Sequence, residues 1–144
     1  MKGLLSKEEQ YCYLKGKEGT EVKFSYPEKH NELMRLNPKT GKYVLKGTLK
    51  HRYVVDVRDS DLVVYWYVMD LIEFEGEPEH WLRLTYYRYL NKEMKWIFAG
   101  QTSLSGRLSY FQRFFVGAIK QKENEWTRSF FRDIQRKCSN ELDM

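Results

Sequence analysis

Cysteine is scarce in this chain: only Cys12 and Cys138 occur among 144 residues, and they stand near opposite ends. Two thiols so placed make neither the disulfide framework of a small secreted domain nor a metal-ligand pair, which predicts reduced thiols in a cytoplasmic protein. Histidine is as sparse, with His30, His51 and His80 scattered and no HExxH, CxxC or EF-hand loop, so no metal and no cofactor is expected. Neither a P-loop nor a GxGxxG fingerprint occurs. Long apolar runs are missing too. The longest uncharged one, Leu62 to Met69, falls far short of the roughly 20 residues that cross a bilayer as a helix, so no membrane partner is expected. At the start, Lys7 and Glu8 interrupt the chain before a signal-peptide core can form, which predicts that it begins at Met1. No internal repeat, low-complexity tract or linker stands out.

What the chain does have is aromatic surface and charge. Eleven Tyr and four Trp exceed what a disordered segment carries. A chain of about 150 residues buries roughly 68–70% of its unfolded surface, enough for a core without staples. One α+β domain is expected over residues 1–144. It divides into a mixed strand and short-helix region at 1–42, an antiparallel sheet at 43–103 and a helical segment at 105–140.

Ser6-Lys7-Glu8-Glu9 has the form of a helix capping box, although Tyr11 to Leu14 also suit a strand. Val22, Phe24 and Tyr26 alternate with polar residues as a half-buried strand does. Pro27 is read as opening a short helix over Glu28 to Leu36, closed by Asn37-Pro38-Lys39-Thr40-Gly41. The strongest pattern is a long hairpin over 43–75. With a loop at 58–61, Val57 meets Leu62, Val55 meets Val64, Tyr53 meets Trp66, Leu45 meets Phe74 and Lys46 meets Glu73. Strands this long call for a bulge or bend, expected at Gly47. Strands at His80 to Leu90 and Lys95 to Thr102 continue an antiparallel meander of about four to six strands, their register left open. Leu108, Phe111, Phe115 and Ile119, then Trp126, Phe130 and Ile134, recur at helical spacing. They predict C-terminal helices packed on one face of the sheet, either two with a break near Glu123-Asn124-Glu125 or one long kinked helix.

The helical segment 105–140 carries eight Lys and Arg against three Asp and Glu, which equals the whole formal excess of +5. Arg128, Arg132 and Arg136 stand at i, i+4 and i+8, one ridge opposite the apolar stripe. With Lys46, Lys50 and Arg52 on the polar side of the hairpin, and Tyr65 and Tyr67 for base stacking, they form a candidate contact for nucleic acid or another polyanion. A solvated helix face accounts for the same ridge.

Two further arrangements bear on chemistry. The hairpin register places His51 and Asp70 diagonally on one apolar face, an acid/base pair in an enzyme reading and a structural hydrogen bond otherwise. The Gly100 to Gly106 connector offers Thr102, Ser103 and Ser105 hydroxyls for an anion-binding turn, or simply a capped turn. The preferred function is a non-enzymatic intracellular binding module for a polyanion. The alternatives are a small ligand- or phosphate-handling enzyme at His51 and Asp70, and a homo-oligomer joined through exposed aromatics.

Overall fold

Alternation of apolar and polar residues builds most of the molecule, and a single helix is fixed by its cap. The computed structural model describes residues 4–99, 103–120 and 125–142. The elements are α1 (Lys7–Lys15), β1 (Glu21–Tyr26), β2 (Arg35–Asn37), β3 (Lys42–Asp59), β4 (Val63–Phe74), β5 (Trp81–Leu90), β6 (Lys95–Phe98), β7 (Leu104–Arg107), α2 (Leu108–Lys120) and α3 (Glu125–Leu142). The fold is α+β with an antiparallel, curled sheet, as the patterning predicts. Two compact units divide the chain, residues 1–107 and 108–144.

In the first unit the seven strands form one sheet in the order β1-β3-β4-β5-β6, with β2 also paired to β3 and β7 to β5. The inner face carries Leu45, Leu49, Val64, Trp66, Val68, Ile72, Phe74 and Tyr89, all buried. Curling brings β1 toward the far edge, so that Phe24 lies 6.0 Å from Trp81 and a crevice opens between β1 and the strands β5 to β7. The helix α1 lies against this inner face. Its Leu14 is fully buried beside Val54, Val64, Trp66 and Tyr89, and Gln10 accepts a 2.8 Å hydrogen bond from the Trp66 indole.

The capping box that starts α1 is complete: Ser6 Oγ accepts from the Glu9 amide at 3.1 Å, and Glu9 accepts from the Ser6 amide at 3.0 Å. That backbone amide, with the Ser6 hydroxyl, holds the Glu9 carboxyl below its ordinary value of 4.5. A depressed folded-state value means that this contribution is present above about pH 4.5 and fades as the pH falls through the folded value. Ser6→Ala is therefore expected to cost about 1 kcal/mol at neutral pH and less near pH 3, measured by urea unfolding at both.

The structure departs from the patterning in four places. Residues 28–36 form no helix: the Asn31 side chain accepts from the Leu33 amide in a local turn, Met34 is buried, and Arg35 starts β2. The β3–β4 register is shifted, with Gly47 opposite Phe74 and Thr48 opposite Glu73, and bulges fall between Leu49 and His51 and between Asp56 and Arg58. Gly47 is not the bulge. Strand β6 ends at Phe98, and the polar connector then contains β7, which pairs with residues 81–84 of β5. In the second unit, α2 and α3 are separate helices joined by a 5.7 Å edge contact of Phe115 with Phe131, while Glu123 and Asn124, the expected break, lie outside the described residues.

Candidate functional site

The bulge between Leu49 and His51 decides where each side chain of the hairpin goes. A bulge adds one residue to one strand and exchanges the faces beyond it. Before it, Lys46 points to the outer face; Lys50 is the extra, exposed residue; after it, Arg52 and Val54 turn inward and Tyr53 turns outward. Arg52, expected among the surface cations, is instead buried and ion-paired to Asp70. His51 and Asp70 are not brought together: the His51 side chain is 79% exposed near Glu18, whereas Asp70 is fully buried on the inner face. The acid/base pair expected from the simpler register does not form.

The outer face is what the same geometry creates. Val63, Tyr65, Tyr67, Met69 and Leu71 of β4 alternate away from the core, opposite Leu90, Arg88, Tyr86, Leu84 and Leu82 of β5. On the other side, Tyr53 stands opposite Met69 and Arg58 opposite Tyr65. Tyr53 is 60% and Tyr67 50% exposed, although a sheet that only had to bury apolar surface would cover them. The Tyr67 and Tyr86 rings stack with centroids 5.8 Å apart and planes 28° from parallel, and Tyr65 lies 6.0 Å from Tyr86. The Arg58 guanidinium sits 3.8 Å from the Tyr65 ring centre. Arg88 faces Tyr65 from β5, and its Nε is buried without a hydrogen-bond acceptor among the described residues. A shallow groove of about 470 Å³ runs over Tyr53, Val55, Tyr67, Met69, Leu84 and Tyr86. The face therefore combines open rings with cations at its margin, the features that accept unstacked bases and the backbone joining them.

The ridge residues of α3 lie in the second unit. Arg132 and Arg136 are 59% and 68% exposed in their side chains and meet Glu125 and Asp133 only at 3.6 and 3.7 Å, while Arg128 is half-buried. Of the anion-turn residues, Ser103 and Ser105 line the crevice beside β1, and Thr102 lies outside the described residues. Ser103 Oγ is 2.7 Å from Thr85 Oγ1.

Sequence reasoning missed Arg83, because the register of β5 was open. Arg83 stands opposite Asp70, with Nε and Nη2 donating to Asp70 Oδ2 at 3.1 and 2.8 Å. Arg52 donates to Asp70 Oδ1 through Nε at 2.8 Å and to Oδ2 through Nη2 at 3.1 Å, and its remaining hydrogen bonds go to the Leu14 carbonyl and the Tyr87 hydroxyl. Burial pulls the Arg52 guanidinium toward neutrality, but the hydrogen bonds and charge of Asp70 outweigh it and leave its affinity for the proton raised. A signal was present: one aspartate in the stripe Val64, Trp66, Val68, Asp70, Ile72, Phe74 demands a cation from a neighbouring strand.

Among the described residues no group of three His, Cys, Asp or Glu is placed to hold a metal ion, and no helix is long and apolar enough to cross a membrane. No protein-family model matches the chain, and neither does a curated protein or a solved structure.

Proposed function

We propose that the protein is a non-enzymatic binding module whose outer sheet face takes single-stranded nucleic acid. The observation that supports this reading is the stacked pair of exposed Tyr67 and half-buried Tyr86, with Arg58 seated on the neighbouring Tyr65. Every base presents a π-face, so such a platform binds with little sequence preference, and Arg58, Arg88, Lys46 and Lys50 supply charge for the phosphates. The exposed arginines of α3 fit the same class of partner as a second, sequence-independent contact.

The test is fluorescence anisotropy with a labelled oligonucleotide at increasing salt. Affinity is expected to fall with a slope of about −0.7 in log K per log salt for each phosphate neutralised. Tyr67→Ala, at a half-exposed position outside the core, is expected to weaken binding by about 1–3 kcal/mol without moving the thermal midpoint. Arg132→Glu is expected to weaken it further and flatten the salt slope. Undetectable binding at low salt rejects the proposal.

A second reading has its own observation. Val57, Met69 and Leu104 are 49%, 45% and 58% exposed, more apolar side chain than a nucleic-acid face requires. A subunit contact would use them, and a hydrodynamic mass that rises with concentration and reverts in Met69→Glu would favour it over nucleic acid.

A further inference from the structure

The inner face holds two guanidinium groups against one carboxylate. Asp70 accepts four hydrogen bonds, two from Arg52 and two from Arg83, one of them on Oδ1 and three on Oδ2. Arg52 has acceptors for all three of its nitrogens. Arg83 does not. Both its hydrogen bonds end on one oxygen of Asp70, and Nη1 has no acceptor among the described residues, although the side chain is only 10% exposed. The cluster thus carries one more cation than carboxylate, and Arg83 turns that excess charge toward a crevice it lines, where an anion is favoured.

Space for one is adjacent. Arg83 and Lys23 line two neighbouring crevices in the curl of the sheet, of about 280 and 360 Å³. The larger is bounded by Phe24, Ser25 and Tyr26 of β1, Phe98 of β6, and Ser103 and Ser105, and no carboxylate lines it. The Arg83 guanidinium stands 5.8 and 5.5 Å from the Phe24 and Phe98 ring centres, so aromatic walls flank the charge. The hydroxyl of Ser105, which stands opposite Arg83 on the same face, has no partner among the described residues and is free to donate. Lys23 reaches Glu21 at 3.2 Å on the exposed rim.

We propose that this crevice binds a small organic oxyanion, a carboxylate or phosphate monoester carried on a flat ring. The charged group meets Arg83 Nη1 and the Ser105 hydroxyl, and the ring lies between Phe24 and Phe98. The volume suits a ligand of that size and is too small for a folded polymer. Arginine's planar fork, rather than a point charge, fits both kinds of oxyanion.

The experiment is isothermal titration calorimetry of the full chain with benzoate, phenyl phosphate and inorganic phosphate. At least one ring-bearing anion is expected to bind, more tightly than inorganic phosphate, and the preference between benzoate and phenyl phosphate identifies the charged group. Ser105→Ala is expected to weaken binding about tenfold, and Arg83→Lys, which keeps the charge but loses the fork, by more. Should Arg83→Lys fail to fold, the serine variant together with Phe98→Ala decides the matter, since both lie at the crevice wall. The proposal is overturned if none of the three anions binds, if inorganic phosphate binds as well as the ring-bearing anions, or if the folded crevice variants bind like the wild type. Tyr67→Ala on the opposite face is expected to leave this binding unchanged.

Discussion

Replacing Asp70 with alanine is expected to lower stability by about 3–5 kcal/mol, read as a lower urea midpoint with an unchanged slope. The size follows from what is left behind. Arg52 and Arg83 are 3% and 10% exposed in their side chains, and the substitution removes the acceptor of two hydrogen bonds from each. Two like charges then face each other in a poorly hydrated interior. An exposed pair behaves differently: Arg132→Ala, which breaks the loose contact with Glu125, is expected to change stability by less than about 1 kcal/mol. Converting the whole cluster to Arg52→Met, Asp70→Leu and Arg83→Met is expected to recover most of the Asp70→Ala loss, because the desolvation cost leaves with the charges. If Asp70→Ala moves the midpoint by less than about 1 kcal/mol, the charge cluster is not an organising element of the core.

Gly47→Ala is expected to cost about 3 kcal/mol, the upper end for an overpacked core position. A Cβ there would lie 2.5 Å from the Glu73 carbonyl oxygen and 2.5 Å from the Phe74 ring. The carbonyl belongs to the backbone of β4 and cannot rotate away, so β3 and β4 would have to separate where Gly47 and Phe74 pair. The ring of Phe74 is itself held by Phe24 and Trp81, at 5.2 and 5.1 Å between centroids. Urea unfolding of Gly47→Ala beside Gly47→Ala/Phe74→Leu separates the causes. If the ring is the obstacle, the double variant loses less than the sum of the singles; if the carbonyl is, the losses add.

These two positions show how far the sequence carries. Period-two alternation makes β3 and β4 legible, and a capping box makes α1 so, because both signals lie within a few residues. The bulges do not show themselves. Nothing about Leu49, Lys50 and His51 distinguishes a bulge from continuous pleat, yet that one extra residue takes Arg52 into the core and lifts Tyr53 out of it. Gly47 attracted the expectation of a bend because glycine marks irregular backbone, whereas its role is to let an aromatic ring approach. Strand β7 was invisible for another reason: Leu104-Ser105-Gly106-Arg107 has no intrinsic strand preference and is extended through its pairing with β5. Asp70 was recognisable as anomalous, but its partners depend on registers that tertiary structure sets. The tyrosine face is half legible: the patterning marks Tyr65 and Tyr67 as stacking residues, whereas it sets Tyr53 against Trp66 in the core and does not single out Tyr86.

The sheet's order has a kinetic consequence. Each pairing joins strands adjacent along the chain or separated by a single strand, from β1 with β3 to β5 with β7. No distant terminus must be recruited before the sheet can grow, so the entropy of loop closure is met in small steps outward from the β3–β4 hairpin. Such connectivity favours fast assembly for a β-rich unit and a short lifetime for its unpaired edges. The docking of α1 spans more chain: Gln10 meets Trp66 across 56 residues, and Leu5 just before the helix meets Tyr89 across 84. The inner charge cluster gains its last partner from that helix, the Leu14 carbonyl, so its hydrogen bonds are complete only once α1 has docked.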